Sequence, residues 1–312
     1  MDKPRILFMG TPAFALPALR LLHERHYPLV GAVCQPDRPK GRGLKEVAPP
    51  VKMLAQELGL PVYQPVKVKD PAFMELLQKL VPEMIVVAAF GQILSKAVID
   101  YPRLHCLNIH PSLLPKYRGA APLNWQIING ETKTGVTIML MDEGMDSGDI
   151  LLQEETDLGS VETYGELHDR LAVFGAKLLI KSIEQIIHGE AQRKPQDASG
   201  ATLAPRLTKE TGKINWSHKA AAIVNLIRGL NPAPTAYTTL DGLPLKIFKA
   251  EIQSEEIHHS PGTIGEAGSD GLPVATSDGY VVLKDIQLAG KKRMPIADFL
   301  RGHRINPGTI LT

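Results

Sequence analysis

The densest run of side chains able to do chemistry is Asn108-Ile109-His110-Pro111-Ser112-Leu113-Leu114-Pro115. Asn108 and His110 stand two residues apart, so on a strand they share one face. Pro111 holds His110 extended, which ends a strand and begins a loop. An amide donor and an imidazole then point at one small volume, a pairing suited to hydrogen-bonding a carbonyl oxygen or moving a proton. A second run, Met141-Asp142-Glu143-Gly144-Met145-Asp146-Ser147-Gly148-Asp149, puts four carboxylates into one loop. It suits a solvated turn, or it supplies one carboxylate to orient His110. Its acidic spacing does not match a calcium loop. Each residue taken alone also suits a plain structural role, the histidine satisfied at a strand end and the asparagine capping a turn. Both runs nevertheless follow strand signals, and the Gly-rich Arg118-Gly119-Ala120-Ala121-Pro122 adjoins the first.

Other signatures are missing from the sequence. The turn at Gly10 is not GxGxxG, and there is no GxxxxGK[ST], HExxH, GxSxG or Cys/His metal spacing. Dinucleotides and triphosphates bound in those standard ways are not expected, and neither is a metal. Cys34 and Cys106 lie far apart with no CxxC pair, which fits a reducing compartment and two buried, small apolar side chains. At 312 residues, 44% hydrophobic and 22% charged, the chain is neither disordered nor fibrous. No apolar run approaches the ~20 residues of a membrane helix, and the N-terminus leads directly into strand signals. A cytoplasmic protein without a membrane partner is the expectation.

A formal net charge of +2 excludes a strongly basic, general nucleic-acid binder but not a local patch. Residues 35–52 collect Arg38, Lys40, Arg42, Lys45 and Lys52, and residues 284–304 collect Lys284, Lys291, Lys292, Arg293, Arg301 and Arg304. Both stretches suit solvated loops unless a polyanion meets them.

The elements that must position these groups are legible as alternating signals. Short apolar strands are predicted at 5–9, 29–34, 61–63, 84–90 and 105–110, with helices near 12–22, 51–58, 71–80 and 121–129. Further strands are predicted at 134–141 and 149–153, then a long amphipathic helix over 163–188. This alternation predicts an α/β fold, a doubly wound, mainly parallel sheet whose C-terminal strand ends take ligands. Residues 190–209 are polar and aperiodic, and read as a linker. A helix near 219–228 and short strands punctuated by Asp-Gly and Pro-Gly turns follow, which predicts a small β-barrel or sandwich over 210–312.

The segment His110–Pro122 followed by Asp142–Asp149 resembles the folate-dependent formyltransferase family. Gly10-Thr-Pro-Ala-Phe14, Gln35-Pro-Asp-Arg-Pro-Lys-Gly-Arg-Gly43 and Gly135-Val-Thr-Ile-Met139 are similar to the members that act on methionyl-tRNA. The resemblance covers nearly the whole chain and is weakest after residue 240. It implies a Rossmann-like catalytic domain over 1–189 and an OB-like, tRNA-binding barrel over 210–312. It also implies transfer of formyl from 10-formyltetrahydrofolate to the α-amino group of methionyl initiator tRNA, by a monomer. The family's catalytic Asn, His and Asp fall on Asn108, His110 and Asp146. Folate would lie against Ser112, Leu113, Leu114 and Pro115, with its pterin near Gln92, Ile93 and Leu94. The acceptor end of the tRNA would meet Arg38, Lys40, Arg42 and Lys45, with Arg42 as the key contact, and Lys291, Lys292 and Arg293 would hold phosphates.

The residue types suit that reaction. Amine attack on a formyl carbon develops an oxyanion, to which Asn108 and a protonated His110 can donate. An α-amino group has a pKa of ~8, so a useful neutral fraction exists near neutral pH and no strong base is required. Asp146 would orient His110 or relay a proton through water. Two other functions compete: a formyltransferase acting on an amino-sugar nucleotide, which would lack the 35–43 pattern, and a non-catalytic RNA- or folate-binding module, which would not need the intact triple.

Overall fold

A computed structural model describes residues 3–40, 45–256, 258–268 and 271–312. Its strands are β1 (Ile6–Gly10), β2 (Leu29–Val33), β3 (Arg38–Lys40), β4 (Lys45–Val47), β5 (Val62–Tyr63), β6 (Met84–Ala88), β7 (Cys106–His110), β8 (Lys133–Leu140), β9 (Ile150–Asp157), β10 (Ala236–Leu240), β11 (Leu243–Gln253), β12 (Leu272–Ala275), β13 (Tyr280–Leu288) and β14 (Met294–Pro295). The helices are α1 (Leu16–Glu24), α2 (Pro50–Glu57), α3 (Pro71–Leu80), α4 (Lys96–Ile99), α5 (Pro122–Ile128), α6 (Tyr164–His188), α7 (Ala220–Gly229) and α8 (Ile296–Gly302). Two compact units result. One comprises Met1–Pro122, Lys133–Asp157 and His168–Ala204, and the other Leu123–Thr132, Leu158–Leu167 and Pro205–Thr312.

The first unit is built on a seven-stranded sheet in the order β5-β2-β1-β6-β7-β8-β9. Every residue of β1 and β6 is buried, as expected for central strands covered on both faces. Pairing is parallel from β5 through β7 and antiparallel for β8 and β9. The loop between β8 and β9 is too short for the crossover of a dozen or more residues that parallel pairing demands. β9 runs on to Asp157, beyond the predicted 153, because exposed Glu155 and Asp157 alternate with half-buried Glu154 and Thr156 along a half-exposed edge. Phe73 and Leu77 of α3 share a core with Leu7, Met9, Ile85, Val87, Phe90 and Leu94. α6 approaches the sheet closely at Gly175, where an added Cβ would stand 2.8 Å from Ile109 Cγ2.

Some local expectations shift. The helix predicted from Pro12 begins instead as a 3-10 turn at Ala13–Ala15 and becomes α1 at Leu16, with Pro17 in the first turn. The stretch read as a solvated basic loop after β2 carries a short hairpin in which Arg38 pairs with Val47 and Lys40 with Lys45. Arg42 lies outside the described residues. α4 and α8, of four and seven residues, are too short for a periodic signal to reveal.

The second unit holds an antiparallel sheet, β10-β11-β13-β12, with β14 beside β13. It closes on itself through irregular segments. Ala275 of β12 donates to the Thr263 carbonyl, Ile264 and Leu311 continue the ring, and Thr312 exchanges two backbone bonds with Thr239 of β10, at 2.7 and 3.1 Å. The result is a small closed barrel. Ile223 and Ile227 of α7 enter its core together with Ile247, Val281 and Leu283. The buried Arg228 donates to the carbonyls of Gly159 and Glu162 at 3.1 and 3.0 Å, which binds the 158–167 segment into this unit. No described helix is long and apolar enough to cross a membrane.

Candidate active site

β7 ends as its sequence requires: Asn108 and His110 share one face and Pro111 turns the chain away. His110 is nearly fully buried, and its Nε2–H donates to the Tyr117 carbonyl at 2.9 Å. With Nε2 so committed, Nδ1 carries a proton only in the imidazolium. Nδ1 faces Asp146 Oδ2 at 3.6 Å, longer than a hydrogen bond but close enough for ion-pair attraction. Asn108 Nδ2 donates to Asp146 Oδ1 at 3.5 Å. The three side chains singled out from sequence therefore converge.

The antiparallel run of β8 adds a detail that strand order alone does not reveal. The acidic loop leaves β8 level with Cys106, where Met141 N–H donates to the Cys106 carbonyl at 2.8 Å. Asp146 reaches His110 because this loop folds back along the sheet. Asp142 closes the loop on itself, accepting from Ser147 Oγ at 2.8 Å and Gly144 N–H at 3.1 Å. Asp146 sits at φ +50°, a left-handed conformation that Asp tolerates better than most residues. Its Oδ2 accepts from the backbone N–H of Gly119 at 2.8 Å.

The loop after β7 is braced from below. Ser112 is fully buried, and its Oγ donates to the Lys116 carbonyl at 2.6 Å. Thr137 on β8 donates to the Ser112 carbonyl at 2.7 Å and accepts from Leu114 N–H at 3.2 Å. Gln153 on β9 donates to the Leu114 carbonyl and to Thr137 Oγ1 at 2.9 and 2.8 Å. Leu114 is buried, whereas Leu113 and Pro115 are half-buried. Beyond β6, Gln92 accepts from Val68 N–H at 3.0 Å and so holds the 65–68 turn. Ile93 is 74% exposed and Leu94 only 3%, so Leu94 belongs to the core and Ile93 to the surface.

The basic residues separate into two kinds. Arg38 donates to Gln35 Oε1 at 3.2 Å, and Arg293 donates to Asp285 Oδ2 at 2.8 Å while lying 4.2 Å over the Phe248 ring. Lys291 and Lys292 are exposed, and Lys40 and Lys45 pair across the β3–β4 hairpin. Asp37 accepts from Lys52 and Gln64, which hold its carboxyl below the usual range. Burial pushes the Cys34 thiol up to about 11 and the Cys106 thiol higher still, so neither is a ready nucleophile.

Sequence reasoning missed the backbone partners, the Tyr117 carbonyl and the Gly119 N–H, and the side-chain braces of Thr137 and Gln153. Only Gly119, inside a run already read as Gly-rich, could have been suspected.

The chain matches the family model described as formyl transferase over residues 4–183 and that described as formyl transferase, C-terminal domain, over residues 206–304. It is 55% identical over 311 residues to the methionyl-tRNA formyltransferase of Syntrophus aciditrophicus (strain SB), with 100% of each chain covered. Among solved structures, it resembles HypX from Aquifex aeolicus in complex with tetrahydrofolic acid, at a TM-score of 0.66 and 18% identity, over 99% of this chain and 51% of that one. It also resembles an N-formyltransferase from Helicobacter canadensis in complex with folinic acid and dTDP-3-aminofucose, at a TM-score of 0.67 and 20% identity, over 93% of this chain and 100% of that one. At such identities the two structures speak to the fold.

Proposed function

Because the chain belongs to the formyl transferase family, we propose that it transfers the formyl group of 10-formyltetrahydrofolate to the α-amino group of methionyl initiator tRNA. One observation carries the chemistry: Asn108, His110 and Asp146 converge on one small volume at the end of β7. Full-length likeness to a methionyl-tRNA formyltransferase supports the acceptor.

The reaction needs no covalent intermediate on the protein. The neutral amine attacks the formyl carbon and the carbonyl oxygen gains charge. Asn108 Nδ2 and the Nδ1–H of an imidazolium His110 donate to that oxygen, Nε2–H being held by Tyr117. Asp146, its carboxylate steadied by Gly119, stabilises the imidazolium and takes up the proton that the amine sheds, directly or through water. That proton passes to the folate nitrogen as the C–N bond to the formyl group breaks. Leu113 and Pro115, on the turn that buried Ser112 and Leu114 brace, form the folate-side wall with Gln92 and Ile93. Arg38, Lys40, Arg42 and Lys45 read the acceptor end, and Lys291 and Lys292, with Arg293 beside them, hold phosphates.

The test offers 10-formyltetrahydrofolate with methionyl initiator tRNA, methionyl elongator tRNA or an amino-sugar nucleotide. Formylation of the initiator alone, with His110→Ala slower by about 10²–10³-fold, is expected. Activity on the sugar alone would keep the triple and overturn the acceptor. Activity on none would leave a binding module.

A further inference from the structure

Gln196 lies in the polar run after α6, where the sequence carries no periodic signal. In the fold that run is a strap on the first unit. Lys194 exchanges two backbone bonds with Ile150, at 2.8 and 2.9 Å, and farther on Thr202 and Ala204 bond to the backbone of Pro115 and Arg118. Between these anchors the Gln196 amide is fully engaged. Its Nε2 donates to the carbonyls of both Asp146 and Gly148 at 2.8 Å. Its Oε1 accepts from Arg118 Nε at 3.1 Å and Nη2 at 2.7 Å.

These bonds close a ring. Arg118 precedes Gly119, whose N–H holds the Asp146 carboxylate. Gln196 holds the Asp146 carbonyl, and Arg118 joins the two ends. Asp146 is thus gripped at its backbone and at its side chain while it occupies a left-handed conformation that a residue with a Cβ avoids when unconstrained. Asp142, by contrast, bonds to Ser147 and Gly144 within the loop itself. Through Arg118, Gln196 fastens this loop to the loop carrying the Tyr117 partner of His110.

We infer that Gln196 is a positioning residue for the formyl transfer, acting through Asp146: it fixes where the carboxylate stands relative to His110 and Asn108. This rests on the function proposed above. Only an amide of this length offers two donations to carbonyls and an acceptor for a guanidinium. Methionine matches its length without those bonds, and glutamate would set an oxygen against two carbonyl oxygens.

The test compares wild type, Gln196→Met, Asp146→Asn and the double variant, with methionyl initiator tRNA and 10-formyltetrahydrofolate as substrates. Gln196→Met is expected to lower kcat by about 10- to 100-fold, to leave both KM values within about twofold, and to move the acid limb of the kcat–pH profile. In the Asp146→Asn background the same change is expected to cost almost nothing, because the group it positions is gone. Wild-type kcat and pH profile in Gln196→Met would overturn the inference. So would a loss that adds in full to that of Asp146→Asn, since Gln196 would then act elsewhere or merely support the fold. His110→Ala is measured alongside. If it kept wild-type turnover, the proposed chemistry itself would fall and the positioning role with it.

Discussion

Asp146 and Gly119 show how much a single residue can decide. The Gly119 backbone stands at φ +119°, and a Cβ there would meet the Ala204 carbonyl oxygen at 2.9 Å. Gly119→Ala therefore strains the backbone and pushes it off the 202–204 strap, pulling the N–H away from Asp146. We expect destabilisation of more than about 1 kcal/mol and a fall in kcat with folate affinity retained; steady-state kinetics and a folate titration check both. His105, three residues ahead of Asn108, gives a pH-dependent counterpart. Its Nε2 accepts from Arg193 at 2.9 Å, and burial together with that cation holds its pKa below the ordinary value. The native state thus favours neutral His105, and the unfolded chain binds the extra proton first. Stability from this site is complete above about pH 6.5 and falls as the pH drops below that toward the lowered native value. Urea unfolding at about pH 7.5 and pH 5.5 should show the fall, and His105→Gln, which keeps an acceptor for Arg193 without titrating, should reduce it. An equal acid loss in His105→Gln would assign the effect to other groups.

At the scale of elements, β7 and α6 meet at Gly175. Glycine inside a helix normally costs about 1 kcal/mol relative to alanine, so Gly175→Ala ought to stabilise α6. Here an added Cβ would press Ile109 Cγ2 at 2.8 Å and Val136 Cγ1 at 3.3 Å. The clash is with the strand that carries Asn108 and His110. We expect Gly175→Ala to destabilise by about 1–3 kcal/mol, read by chemical denaturation. Stabilisation instead would mean that the contact relaxes freely. Thr137 and Gln153 act at the same scale, because β8 and β9, added antiparallel beyond β7, supply the hydroxyl and amide that shape the Ser112–Pro115 turn.

Over the whole molecule, the second unit keeps its sheet closed through residues 309–312. Removing them leaves β10 without the Thr312 partner and residues 262–264 without theirs. An opened ring exposes unpaired edges. Calorimetry should show a lower melting transition for that unit, with aggregation rising after it; an unchanged transition would show that this closure contributes little. The barrel was legible in outline from turn spacing after residue 230, but its closure was not. The closing segments are irregular single bridges, with no alternation to mark them. In the first unit the apolar runs of β1 and β6 and the spacing of α3 were legible because burial on both faces, or on one helical face, writes a period into the chain. The β3–β4 hairpin, α4 and α8 are too short to do so. The candidate site was legible to the extent that side chains announce it: Asn108, His110 and an acidic loop nearby.

The sequence by itself determined the strand–helix alternation, the pairing of Asn108 with His110 on one face, the absence of the common nucleotide and metal signatures, and the resemblance that named the chemistry. Periodicity and local backbone restriction act within a few residues, so they survive in a linear reading. Tertiary structure decided how the acidic loop folds back to bring Asp146 to His110, that His110 donates through Nε2 to a backbone carbonyl, and that Gln196 touches Asp146 and Arg118. Those facts depend on backbone groups and on contacts between residues up to 78 positions apart, and no local pattern encodes them.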